Sequence, residues 1–198
     1  MNSVFEGCKY LTDINLSKFN TQNVESMVKL FNGCSSLRTL SLASFDTSKV
    51  TDMSDMFTYC SALTSLDVTS FLTSKVKSMS NMFQECSSLT SLNLGHFHSE
   101  NIIDMQNMFK DCHKLTSLDL SGINSNPSQM NNLFQNCYEL KYLNVKNLLT
   151  DKALYPGHIF ENCYSLESLD LSSFTFLHAK NLAATFKNCY SLTSINLE

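Results

Sequence analysis

Basic residues are scarce and scattered. Lysine and arginine together number 14 in 198 residues and never gather into a tract that could neutralise a row of phosphates, so nucleic acid is not an expected partner. No stretch approaches the roughly 20 consecutive apolar residues of a membrane-spanning helix. The opening residues carry neither a basic n-region nor an apolar h-region, and nothing here directs the segment into a membrane. Glycine occurs only 5 times. There is no glycine-rich phosphate loop, no G-x-S-x-G elbow and no G-G-x-G-x-D calcium repeat, so neither a cofactor nor catalysis is expected. The remaining composition is that of a soluble chain: 43% hydrophobic residues and a net charge of −4, from 14 cationic against 18 anionic side chains.

What is present is periodic. The eight cysteines, Cys8, Cys34, Cys60, Cys86, Cys112, Cys137, Cys163 and Cys189, are spaced by 26 residues, with a single interval of 25. Each follows a phenylalanine by three residues (Phe5, Phe31, Phe57 and onward to Phe186) and precedes a leucine by three (Leu11, Leu37, Leu63 and onward to Leu192). From that leucine each unit reads L-x-x-L-x-L, as in Leu115-Thr116-Ser117-Leu118-Asp119-Leu120. This is the pattern of a leucine-rich-repeat strand: its fourth and sixth residues face inward, its third and fifth outward. A loop phenylalanine follows in most units (Phe19, Phe45, Phe71, Phe97, Phe174), then a Ser/Thr-rich turn. Next comes an apolar series such as Val50, Met53, Met56, Phe57 and Cys60. Its spacing predicts one face of a short helix, capped by Thr47 or Ser48.

A unit of this size cannot bury its own apolar face, so only stacking closes the core. The expected fold is an α/β solenoid, a right-handed stack of about eight units with a parallel sheet on one face and short helices on the other. At about 4.8 Å per strand the sheet would run roughly 34 Å. Residues 1–198 form one domain. Met1 falls within a convex segment and Glu198 follows directly on a strand, so both ends are expected to be uncapped. That implies a piece of a longer chain, with end-to-end self-association as the other reading.

The block Met53-Ser54-Asp55-Met56-Phe57-Thr58-Tyr59-Cys60-Ser61-Ala62-Leu63-Thr64-Ser65-Leu66-Asp67, with its lead-in from Phe45 to Asp52, resembles the BspA-type leucine-rich repeats of bacterial surface proteins and some parasitic protists. The resemblance covers essentially the whole chain and is strongest over residues 16–120. It implies a non-catalytic, surface-displayed or secreted adhesion module that binds a host matrix or plasma protein, or another cell. The second half departs from the pattern. Ile123 and Leu148 replace the loop phenylalanine, the fifth unit is one residue short around Pro127, and Pro156-Gly157 interrupts the sixth convex segment.

Candidate sites follow from the stacking register. Each unit offers one cysteine and no partner histidine, which argues against zinc and for buried thiols packed as small apolar residues. Parallel Cβ vectors argue against a disulfide ladder. His96, His98, His113, His158 and His178 occupy five different columns, and only His96 with His98, flanking Phe97, could make a local pH-sensitive spot. Binding is therefore expected on the outward strand positions. The fifth position reads Asn15, Ser41, Asp67, Asn93, Asp119, Asn144, Asp170, Asn196, an alternation that keeps carboxylates about 10 Å apart. The third position is small or hydroxylic, and Lys141, Tyr142 and Lys146 break the monotony on one strand. The partner-binding candidates are Ser65, Asp67, Ser91, Asn93, Ser117, Asp119, Lys141, Tyr142, Asn144, Ser168 and Asp170, facing a protein or glycan. An ordinary solvated ladder is the competing reading of the same columns. Ice binding is disfavoured by the interleaved acids and by Arg38, Lys141 and Glu167. The sequon Asn15-Leu16-Ser17 falls on a strand, and an intracellular repeat scaffold of the same shape remains the alternative function.

Overall fold

The computed structural model describes all residues, 1–198, as a stack of coils in which consecutive repeats lie side by side. Five short strands stand on one face: β1 (Ser91–Asn93), β2 (Ser117–Asp119), β3 (Tyr142–Asn144), β4 (Ser168–Asp170) and β5 (Ser194–Asn196). All pairings are parallel and in repeat register. Leu92 faces Leu118, Leu118 faces Leu143, and Leu169 faces Ile195. The sheet is broken into β1-β2-β3 and β4-β5. The equivalent segments of the first three units form no strands, and the inter-repeat bonds there and into the fourth unit are long, Thr64 N–H to the Arg38 carbonyl at 3.3 Å and Thr90 N–H to the Thr64 carbonyl at 3.4 Å.

The core is continuous. The inward leucines, the methionines, the phenylalanines and six of the eight cysteines form one buried cluster of 51 residues. Phe5, Phe31, Phe57, Phe83, Phe109, Phe134, Phe160 and Phe186 stack along the axis with ring centroids 5.3–5.8 Å apart and planes within 12°. Ile123 and Leu148, which replace the loop phenylalanine, are fully buried and keep that column apolar.

The expected convex helices do not form, and no residue of the chain is α-helical. Twice in each convex segment, four residues apart, the backbone enters the left-handed region. Lys29 and Gly33, Asp55 and Tyr59, Asn81 and Glu85, Asn107 and Asp111, and Asn132 and Asn136 all have φ between 54° and 77°. A right-handed helix cannot continue through such residues. Alternate N–H groups instead donate to the next repeat, as in Met53 to Ser78, Asp55 to Ser80, Phe57 to Met82 and Tyr59 to Gln84, all at 2.9–3.0 Å. The residues between them close three-residue turns, such as Met56 N–H to the Met53 carbonyl. These turns carry every third or fourth residue inward, which reproduces the apolar spacing of a helix without its hydrogen bonds.

Nor does Thr47 cap a helix. Its hydroxyl donates to the Leu72 carbonyl at 3.1 Å and accepts the Leu72 N–H at 2.7 Å, tying one coil to the next. Thr21 does the same one repeat earlier, whereas Ser99 and Ser125 donate backward, to the carbonyls of Thr73 and Ser99. Thr73, at the point where this ladder reverses, has a buried hydroxyl with no partner. Gly122 marks a second tight contact: a Cβ there would lie 2.5 Å from the Gly95 carbonyl oxygen, so a side chain has no room.

All eight cysteines are free thiols. Seven of them, Cys34 to Cys189, donate to the carbonyl of the phenylalanine in the preceding repeat at 3.1–3.3 Å. That contact gives the column a polar reason as well as an apolar one. Burial raises their pKa values, to about 11 at Cys34 and higher still at Cys60, Cys86, Cys112, Cys137 and Cys163. Cys8 alone is exposed. A disulfide reagent at neutral pH is therefore expected to titrate one thiol rapidly in the native chain and the others only on unfolding, with Cys189 between the two. Rapid reaction of several thiols in folded protein would contradict the buried column.

Candidate interaction surface

The outward strand residues meet in one shallow depression of about 620 Å³ on the sheet face. Nine of the eleven candidates line it: Ser91, Asn93, Ser117, Asp119, Lys141, Tyr142, Asn144, Ser168 and Asp170. Ser65 and Asp67 do not. Asp67 borders a separate small hollow of about 100 Å³ with Ser41 and Thr69. Leu92, Leu118 and Leu143 form the apolar floor, a contribution that a reading of their column as wholly buried overlooks.

The acid/amide column has a local job. Each side-chain oxygen accepts the N–H two residues on: Asp67 from Thr69 at 2.9 Å, Asn93 from Gly95 at 3.2 Å, Asp119 from Ser121 at 2.8 Å, Asn144 from Lys146 at 3.2 Å and Asp170 from Ser172 at 3.0 Å. These are Asx turns that lead the chain off the strand, and either Asp or Asn can make them. Hydrogen bonds from Thr69 hold the Asp67 carboxyl below its ordinary pKa, and those from Ser172 do the same for Asp170. The Asn196 amide also reaches the Asp170 carboxylate at 3.2 Å, the cross-strand bridging that an alternating column permits. One oxygen of each acid is thus committed to the turn.

Tyr142 is the exposed aromatic of the depression, 62% accessible. The Lys141 ammonium sits 5.8 Å from its ring centre and is paired with Glu167 at 2.8 Å. That carboxylate raises the Lys141 pKa. The repeat brings Lys141 and Glu167 together because both stand at the second strand position, 26 residues apart in adjacent coils, and Tyr142 follows Lys141 directly. Lys146, the other cation singled out on this strand, follows the Asn144 turn and does not line the hollow.

The histidines do not converge. The His96 ring bonds the Val68 carbonyl at 2.8 Å and packs edge-on against Phe97. His98 instead lines a wholly polar trough of about 600 Å³ with Glu100, Asn101 and Asn124, so the two do not act as one pH-sensitive spot.

Two side-chain constellations escaped the sequence reading. His113, Tyr138, Tyr164 and Tyr190 stack in one column beside the cysteines, with centroids 4.6–5.4 Å apart. Glu161, only 8% exposed at its side chain, joins three coils: it accepts from Lys187 at 2.8 Å, from Gln135 at 2.6 Å, and contacts His158 Nδ1 at 2.8 Å. The signal in both cases was a shared column, which single-repeat inspection does not expose.

The Lys187 hydrogen bond above all, then those from His158 and Gln135, lower the Glu161 pKa to about 2 against the opposing effect of burial. A depressed carboxyl pKa stabilises the fold fully above about 4.5, its unfolded value, and that stability is lost as pH falls toward 2. Glu161→Gln is therefore expected to cost about 2 kcal/mol near neutrality. The wild type and the variant should converge as pH approaches 2 in urea titrations. A pH-independent difference would place the effect elsewhere.

No helix of the chain is long and apolar enough to cross a membrane. The family described as "Mycoplasma protein of unknown function, DUF285" matches residues 1–121. The "BspA type Leucine rich repeat region" matches residues 103–198 in six copies. Neither match indicates an enzymatic family. No curated protein is significantly similar in sequence. Among solved structures, a leucine-rich repeat protein from Bacteroides ovatus superposes with a TM-score of 0.56 at 21% identity over 83% of this chain. The chain spans 38% of that protein. The leucine-rich repeat protein of T. pallidum gives 0.60 at 22% identity, over 84% of this chain and 70% of its own. Parallel strands in repeat register, the Met-Phe-x-x-Cys turn ladder and these matches agree: the chain belongs to the family described as DUF285 and is a BspA-like leucine-rich-repeat protein.

Proposed function

We propose that the chain is a non-catalytic interaction module, displayed at a cell surface, that docks a protein or glycan on the concave sheet face. The observation that carries this reading is the convergence of Tyr142, Lys141 and the outward Ser, Asn and Asp residues on one hollow with an apolar floor. An aromatic over exposed leucine edges, ringed by polar groups, is the composition of an interface centre. Family membership supports the surface location.

The test is binding of the purified chain to immobilised matrix and plasma proteins and to glycans, comparing wild type with two variants. Asp67→Asn/Asp119→Asn/Asp170→Asn removes three charges but keeps each turn-forming oxygen, so the fold is preserved. Tyr142→Ala removes the exposed ring. Loss of about tenfold or more in affinity in either variant supports the concave face, by analogy with interface hot spots. Unchanged binding in both rejects it.

A further inference from the structure

The sheet is seamed within the hollow, between β3 and β4. β3 and β4 are neighbours, yet no backbone hydrogen bond joins them: Val145 and Glu167 lack the inter-repeat bonds that Leu120, Leu171 and Thr193 make at equivalent positions. Tyr142 stands on the rim of this seam, facing Ser168 and Asp170 across it. The seam is the one break in pairing along β1 to β5.

The footprint is small. Three-residue strands span about 10 Å and four of them about 14 Å. The resulting area, on the order of 140 Å², is far below the roughly 800 Å² that each partner of a stable protein complex contributes. Charge narrows the choice further. The one cation of the hollow, Lys141, is paired with Glu167, and the carboxylates of Asp119 and Asp170 line the same hollow, a balance that disfavours sulfated or carboxylated ligands. The remaining groups are hydroxyls, amides, singly committed carboxylates and one aromatic ring. The ring is not stacked like those of His113, Tyr138 and Tyr164, whose faces cover one another. It can therefore lie against the C–H face of a sugar while Asp170, Asn144 and Ser168 bond its hydroxyls.

We infer that the β3–β4 seam is a binding site for one to three residues of a neutral glycan, with Tyr142 as its stacking platform. This rests on the concave-face reading above and names its ligand class.

The experiment is titration of the full chain with cellotriose, xylotriose, mannotriose, laminaritriose and N-acetylchitotriose, with a heparin hexasaccharide as the sulfated control and a lysine-rich peptide as the polymeric alternative. Saturation-transfer NMR and calorimetry would read binding. At least one neutral trisaccharide should bind, and Tyr142→Ala should weaken it about tenfold or more, whereas Tyr142→Phe should stay within about threefold. Tyr190→Ala, on the stacked edge away from the hollow, should change nothing. Circular dichroism confirms that the variants fold. Failure of every neutral sugar, preference for heparin or the peptide, or indifference to Tyr142→Ala would each overturn the inference. If no sugar binds but a protein partner is lost in Tyr142→Ala, the concave face survives and the glycan does not. If sugar and protein both ignore Tyr142→Ala and the triple Asn variant, both fail.

Discussion

Phe109→Ala is expected to destabilise the chain by about 3–5 kcal/mol, the cost of emptying a close-packed aromatic site. The ring is fully buried and has a stacked neighbour on either side, Phe83 and Phe134, each at 5.6 Å. Both neighbours lose half of their stacking contact when it goes. Because each coil is supported only by the coils beside it, a break in the middle also uncouples the two halves. Urea unfolding should accordingly shift to lower concentration and broaden. Phe109→Leu, which refills most of the volume, should cost about 1–1.5 kcal/mol. Phe186→Ala should cost about 1 kcal/mol, since Phe186 has one stacked partner, Phe160, and is already partly exposed. Equal losses at positions 109 and 186 would show that the ring ladder does not carry the stack.

The strand register was legible because a parallel ladder of identical repeats places like on like. Leu92 opposite Leu118 and Ser91 opposite Ser117 follow from the 26-residue period alone. The buried cysteine column followed for the same reason, although its thiol-to-carbonyl bonds did not: they depend on a phenylalanine 28 or 29 residues earlier, in the neighbouring coil. The convex face was misread because Val50, Met53, Met56, Phe57 and Cys60 recur at spacings that nested turns and helices share. The distinguishing signal lay in the exposed residues between them. Asn, Asp or Gly stands at many of the two left-handed positions, and no helix would choose those residues there.

The fifth strand position shows a different kind of error. Its alternating acids and amides were explained by repulsion between carboxylates, yet Asx turns at Asp67, Asn93, Asp119, Asn144 and Asp170 require a side-chain oxygen regardless of charge. Turn geometry selects the residue type and electrostatics chooses only between Asp and Asn. A ligand at that column would meet only the uncommitted oxygens, and Tyr142, which has no such duty, is the more informative residue to change. The seam between β3 and β4 was hinted at only by Pro156-Gly157 in the intervening crossover, since the short fifth unit lies between β2 and β3, which pair. Sequence could locate that irregularity. It could not say that the ladder would open on the concave side.

The turn ladder makes its own prediction at Asn107, where the sign of an effect separates two architectures. Asn107 has φ 54°, donates its amide to Asn81 Oδ1 at 2.9 Å and accepts from Asn132 at 2.8 Å. Asn107→Ala places a Cβ-bearing, non-bonding residue in the left-handed region, at about 1–2 kcal/mol, and removes two inter-repeat bonds at about 1 kcal/mol each. A loss of about 3 kcal/mol is expected. Asn107→Gly forfeits the same bonds but relaxes the backbone, so it should cost only about 1–2 kcal/mol. In a helix the order would reverse, with alanine better than glycine by about 1 kcal/mol. Chemical denaturation of the two variants therefore decides between stacked turns and a helix. Ala184, which already carries an alanine at φ 53°, supplies the converse: Ala184→Gly should be neutral or stabilising there, where a helix would lose stability.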